Sequence, residues 1–216
     1  VAYWKFDDGT GTNAQDSSQN NNDGTISGAT WQTEDQCISS KCLRFDGSND
    51  ILTFTNIASV TTTGTYSISL WFNKVGTSNA ALVDISSSGS NRNGIVFSTS
   101  DVLGGYYNGS SYTGKSGTYT ANKWNHVELV NDAGTITLYL NGIAQTGTTM
   151  NSLGSTINQV GFNASINAYY NGKIDDLKVY NYARTAAQVK SDFNSRGIPK
   201  GASVSLSSRV GAEGSL

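Results

Sequence analysis

Short segments in which apolar and polar residues alternate, each closed by Gly, Asn or Asp, set the tightest limit on how this chain can fold. Tyr66-Ser-Ile-Ser-Leu-Trp-Phe72 puts Ile68, Leu70 and Phe72 on one side and Ser67, Ser69 and Trp71 on the other, the period of two of a strand with one face in a core. The opening Val1-Ala-Tyr-Trp-Lys-Phe6 repeats the pattern, with Ala2, Trp4 and Phe6 opposed to Val1, Tyr3 and Lys5. Further strand-like segments lie at 24–31, 43–45, 51–54, 81–85, 94–97, 102–107, 124–130, 135–140 and 160–162. Between them, Asn131-Asp-Ala-Gly134 and Asn141-Gly142 supply residues that tolerate the positive φ of hairpin turns. Many short strands at this spacing predict an all-β, two-sheet antiparallel sandwich or jelly roll.

Composition supports the same reading. Gly, Ser, Thr and Asn make up 98 of the 216 residues, and all four disfavour helix interiors. One helix is expected near the C-terminus, where Thr185-Ala-Ala-Gln188 forms a capping box, Val189 and Phe193 share a face, and Gly197 with Pro199 ends it. Residues 1–198 are read as one domain. Residues 199–216, rich in Gly, Ser and Ala, are read as a linker or an added strand through the alternating Ser203-Val-Ser-Leu-Ser207. A net charge of -2 without a basic cluster argues against a nucleic-acid partner. No apolar run approaches the roughly 20 residues of a membrane helix.

Two further features carry chemistry. Cys37 and Cys42 are too close for a complete zinc site and have no His nearby, so a hairpin disulfide in an extracellular or cell-surface setting is expected, with two buried free thiols as the alternative. Residues 7–24 form an apolar desert of four Asp and four Asn, long for a connection inside a compact domain, where about 4 to 6 residues is usual.

Seven segments resemble the LamG-like jelly-roll family of the concanavalin A-like lectin/glucanase superfamily, akin to laminin G domains and pentraxins. They are Tyr3-Trp-Lys-Phe-Asp-Asp-Gly-Thr-Gly11, the loop from Asp16 to Thr25, Leu43-Arg-Phe-Asp-Gly47 with Asn49-Asp50, and Tyr66 to Phe72. Trp124-Asn-His-Val127, Leu138-Tyr-Leu-Asn-Gly142, and Gly172 to Asn181 with Ala183-Arg-Thr185 complete the set. The resemblance implies a sandwich whose terminal strands pair, with the short helix packed at one side. It also implies a structural calcium between the first loop and the last strand. Calcium takes oxygen ligands from irregular loops, and the residues expected to contribute are Asp7, Asp16, Asn20, Asn22 and Asp176, the last preferred over Asp175. The alternative is a solvated loop held by Asx hydrogen bonds.

An enzyme is not expected. Sandwich glycosidases need paired carboxylates, whereas Glu34, Glu128 and Glu213 are far apart in sequence and no nucleophile elbow is present. His126 lies on an expected core strand, where a structural role is the simpler one. Glycan binding needs aromatic faces beside amides, and Tyr106, Tyr107, Asn108, Tyr169 and Tyr170 are the candidates, although tyrosines on antiparallel sheets also serve as plain cross-strand pairs. The reading is a secreted or surface-displayed, non-enzymatic binding or adhesion module that contacts a glycan or surface polymer. Two alternatives stand beside it. One is a structural repeat or protomer of an extracellular filament or array, self-associating or tandemly joined through the tail; the other is an accessory domain of a glycan-degrading enzyme.

Overall fold

The computed structural model describes residues 1–57, 64–77, 80–85, 94–97, 102–107, 111–116, 119–146, 157–163 and 167–196. In chain order the first strands are Ala2–Trp4 (β1), Asn13–Ala14 (β2), Gly24–Ser27 (β3), Thr30–Gln32 (β4), Cys42–Asp46 (β5), Ile51–Ile57 (β6), Tyr66–Lys74 (β7), Ala81–Asp84 (β8) and Gly94–Phe97 (β9). Then come Leu103–Tyr107 (β10), Ser111–Ser116 (β11), Asn125–Asp132 (β12), Thr135–Leu140 (β13), Ile143–Ala144 (β14), Ile157–Val160 (β15), Phe162–Asn163 (β16), Ala168–Tyr169 (β17) and Asn171–Tyr180 (β18). One α-helix among the described residues, Ala186–Arg196 (α1), follows.

Two eight-stranded antiparallel sheets face each other. The first has the order β14-β13-β12-β7-β18-β5-β4 with β1 also paired to β18; the second runs β11-β10-β9-β8-β15-β6-β3-β2. The terminal strands β1 and β18 pair, from Ala2 opposite Val179 to Trp4 opposite Leu177. This is the expected jelly-roll sandwich with one short helix.

The alternation in the sequence becomes the two sides of each sheet. Ile68, Leu70, Phe72, Val127, Leu129, Ile174 and Leu177 of the first sheet meet Leu52, Phe54, Leu82, Ile95, Phe97, Ile157 and Val160 of the second in one core. Trp4 lies fully inside it, its ring 4.2 Å from Phe54. Residues 24–31, expected as one strand, divide instead. Gly28 takes φ +82°, and a Cβ there would run into the Asp50 carboxylate, so the chain turns and passes from the second sheet (β3) to the first (β4). Asn141 and Gly142 both adopt positive φ in the turn between β13 and β14, as their chemistry predicts.

The helix begins where the capping box puts it. The Gln188 N–H donates to Thr185 Oγ1 at 3.3 Å, and the Thr185 N–H donates to Gln188 Oε1 at 2.9 Å. Its expected stop, the tail strand 203–207 and the linker reading lie outside the described residues. Cys37 and Cys42 are joined in a disulfide within the β4–β5 hairpin connection. No helix among the described residues is long and apolar enough to cross a membrane.

Candidate functional site

The outer faces of the two sheets differ in access. On the first sheet, cross-strand partners place Trp71 beside His126 and Asp175, and Ser69 beside Glu128 and Lys178. Helix α1 covers this face, with Phe193 stacked 5.8 Å from the Trp71 ring. His126 accordingly sits in packing and a hydrogen bond to Ser69 at 2.8 Å rather than in any cleft. Burial, with Lys178 and Arg184 adding to it, pushes its pKa down to about 3 and keeps it neutral. Glu128 is fully buried; burial pushes its carboxyl up to about 7 although Arg184 lies 3.1 Å away.

The outer face of the second sheet carries a polar line that is exposed at one end and buried at the other. Register pairs Thr25 with Thr53, Thr53 with Gln159, Gln159 with Asp84, and Asp84 with Gly94. Side chains of one row in a sheet share a face, so Thr25, Thr53, Gln159 and Asp84 form a polar file across four adjacent strands. At about 4.8 Å per strand the file is about 14 Å long. The threonines are exposed, Gln159 is half-buried, and Asp84 is buried, accepting a 2.8 Å hydrogen bond from Gln159 Nε2. Gly94 ends the file without a side chain because β8 and β9 approach too closely there; a Cβ would strike the Val83 carbonyl.

In contact with β8, the strand that carries Asp84, lies a hairpin with an aromatic pair. Beyond Val160 the chain forms the β16–β17 hairpin, in which Phe162 is the register partner of Tyr169 with ring centroids 4.5 Å apart and both rings partly exposed. Gly161 anchors the hairpin. It has φ +85°, its N–H donates to the Leu82 carbonyl at 3.2 Å, and a Cβ would lie 2.6 Å from the Phe45 ring.

The aromatic candidates from the sequence separate. Tyr169 belongs to this pair. Tyr170 does not face solvent: it is fully buried, 6.1 Å from Phe45 and 6.2 Å from Phe97, because the step from 169 to 170 crosses the pleat into the core. Tyr170 is thus corrected from ligand contact to core. Tyr106 and Tyr107 lie on β10, opposite Tyr112 and Ser111 of β11, and β9 stands between β10 and β8. Asn108 lies outside the described residues. Thr25, Thr53, Asp84, Gln159 and Phe162 were not anticipated, because the file arises only once register sets the four strands side by side.

The loop 7–24 has its own network. Asp16 accepts from the backbone N–H groups of Tyr3, Ser18 and Asn22 at 2.9, 2.8 and 2.9 Å, from Ser18 Oγ at 2.7 Å and from Asn22 Nδ2 at 3.0 Å. Burial opposes ionisation of Asp16, but these donors outweigh it and hold the pKa below the usual range. Asn20 and Asn22 also donate to the Val1 carbonyl, at 2.7 and 3.2 Å. Asp7 accepts from the Lys41 N–H at 3.1 Å. Asp176 takes the Tyr3 hydroxyl at 2.6 Å and lies 3.1 Å from Arg196 Nε. Asp16, Asn20 and Asn22 are therefore together, whereas Asp7 and Asp176 face other partners. Among the described residues no three carboxylate, imidazole or thiol groups form a metal-holding cluster. In this arrangement the oxygens of Asp16 already face N–H and O–H donors, a poor fit to a cation shell.

Asp175, next to Asp176, accepts from the N–H groups of Ile38 and Ser39, both at 3.1 Å, inside the disulfide loop. Burial and then the charge of Asp176 push its pKa up to about 8.

Residues 46–190, well over half of the chain, match the family described as the concanavalin A-like lectin/glucanases superfamily. The chain belongs to that superfamily. No curated protein matches it by sequence. Among solved structures it is similar to domain 4 of an extracellular arabinanase from Geobacillus stearothermophilus, determined in complex with arabinotriose. That likeness has TM-score 0.69 at 18% identity and covers 88% of this chain and 96% of that one. It is also similar to a sialidase of Trypanosoma rangeli in complex with sialic acid (TM-score 0.68, 12% identity, 92% of this chain), of which it spans only 33%. The binding domain of Paraclostridial Mosquitocidal Protein 1 is a third (TM-score 0.66, 17% identity, 90% of this chain and 51% of that one). At these identities the likeness is one of fold.

Proposed function

We propose that this superfamily member is a non-enzymatic carbohydrate-binding module of an extracellular or surface protein, and that it reads its glycan on the outer face of the second sheet, from the exposed threonine end of the polar file. The observation that carries the proposal is the Thr25-Thr53-Gln159-Asp84 file together with the Phe162–Tyr169 pair, whose hairpin follows the strand of Gln159 and contacts β8, the strand of Asp84. Sugar rings offer an apolar C–H face and a rim of hydroxyls, and recognition needs an aromatic surface beside amide, hydroxyl and carboxylate groups. The arabinanase domain in complex with arabinotriose has the same fold, which makes an oligosaccharide a natural occupant of a 14 Å file. The sealing of Glu128 beneath α1, paired with Arg184, supports a binding role over hydrolysis.

The test is a glycan array that includes arabino-oligosaccharides, followed by calorimetry on the best ligand. Tyr169→Ala and Gln159→Ala should each weaken binding at least tenfold, about 1.4 kcal/mol. Ile143→Ala, an exposed position at the edge of the first sheet, should leave it unchanged. Undiminished binding in both site variants places the ligand elsewhere, and no binding to any glycan overturns the reading itself.

A further inference from the structure

Helix α1 is attached to the first sheet in an unusual way. Of its eleven residues only Val189 is fully buried, and Phe193 adds one stacked ring on Trp71. The remaining fastenings are polar. Just before the helix, Arg184 pairs with the fully buried Glu128 at 3.1 Å and with Asp192 of the helix at 2.8 Å, its guanidinium 4.4 Å over the Tyr180 ring. At the other end Arg196 reaches Asp176 at 3.1 Å and Ser39 Oγ at 2.7 Å. Two polar atoms beneath the helix, His126 Nδ1 and Glu128 Oε2, have no hydrogen-bond partner among the described residues. Two apolar contacts, ion pairs at both ends and orphaned polar atoms under the middle mark an element of low local stability.

We propose that residues 184–196 form a strap that lifts from the first sheet as a unit while the sandwich stays folded, and that Glu128 and His126 beneath it set how firmly it is held. Lifting returns both side chains to water and uncovers Trp71. The groups facing Glu128 are Arg184 and Asp192 from the strap, Lys178 and Tyr180 from β18, Tyr139 from β13, and Ser69 and His126 on neighbouring positions of β7 and β12. Those facing His126 are Ser69, Trp71, Lys178, Arg184 and Phe193.

The signs oppose each other. Under the strap Glu128 holds its proton up to about pH 7, so attachment weakens as pH rises from its free value of about 4.3 towards 7. His126 under the strap takes a proton only near pH 3, so attachment weakens as pH falls below its free value of about 6.5. Between about pH 4.5 and 6.5 the two effects cancel, and attachment is nearly independent of pH there.

Hydrogen exchange of the full chain, with rates divided by the intrinsic rate at each pH, tests this. The amides of Val189 to Phe193 should open with a constant that is flat across about pH 4.5 to 6.5, and far more often than those of β7 and β12. Glu128→Gln removes one arm, so opening should rise about tenfold per pH unit on acidification below about 6.5. His126→Asn removes the other, so opening should fall about tenfold per unit on acidification from about 7. Val189→Ala should raise opening at every pH and leave β7 and β12 protected. Helix amides that exchange only with β7 and β12, or flat profiles in both charge variants, overturn the proposal.

Discussion

Replacing Asp16 with alanine tests whether the long polar loop is held by protein donors alone. The carboxylate is 6% exposed and receives five hydrogen bonds. Alanine leaves the backbone N–H groups of Tyr3, Ser18 and Asn22 without an acceptor. The Ser18 hydroxyl and Asn22 amide lose less, because the Val1 carbonyl lies within reach of both as another acceptor. Each buried orphaned N–H costs about 1 to 3 kcal/mol. The Tyr3 N–H lies within strand β1, whereas those of half-buried Ser18 and Asn22 are open to rescue by water, so the total is about 3 kcal/mol. For a domain of this size that lowers Tm by about 6 to 12 °C. Asp16→Asn keeps one acceptor oxygen and should lose about half as much. Thermal melts with calcium and again with excess chelator complete the test. If donors alone fix the loop, the wild-type melts coincide and the variants lose the same stability in both. A loss under 1 kcal/mol refutes the reasoning; a loss seen only with calcium present also refutes it and makes Asp16 an ion ligand, as the family resemblance implies.

Two further predictions follow from backbone and crosslink. Gly161→Ala places a Cβ against the Phe45 ring at positive φ, which should cost about 2 to 3 kcal/mol by urea denaturation and weaken glycan binding by displacing the Phe162–Tyr169 hairpin; unchanged stability and binding would show that the hairpin does not depend on this turn. Opening the disulfide as Cys37→Ser with Cys42→Ser should cost about 2 kcal/mol from the short loop it closes. That change should also loosen the Ile38 and Ser39 donors on Asp175 and speed exchange at the Arg196 end of α1; a stability loss without that local effect would confine the crosslink's role to its own loop.

How much of the site was legible depends on how local its cause is. The strands around Ile68, Leu70 and Phe72, the Asn141-Gly142 turn and the Thr185–Gln188 cap rest on interactions within a few residues of each other, so the residue pattern suffices. The Cys37–Cys42 pairing is local in the same sense. Tyr169 and Tyr170 look alike in sequence, yet Tyr169 stacks on Phe162 in the outer hairpin and Tyr170 enters the core, because a single step along an extended chain reverses the face. The division at Gly28 was hidden because its cause, the Asp50 carboxylate, is remote in sequence.

The sequence by itself determined that this is an all-β sandwich with one capped helix, a close cysteine pair and a polar first loop, since periodicity, turn residues and spacing act at short range. Tertiary structure alone decided which residues meet on which face. Register across β3, β6, β15 and β8 drew Thr25, Thr53, Gln159 and Asp84 into one file, and packing of α1 closed Trp71, His126 and Glu128 away on the other sheet. The reason is that a file across strands joins residues from distant parts of the chain. No local pattern encodes such a meeting; it is set by the core, which needs every strand's apolar side turned inward at once.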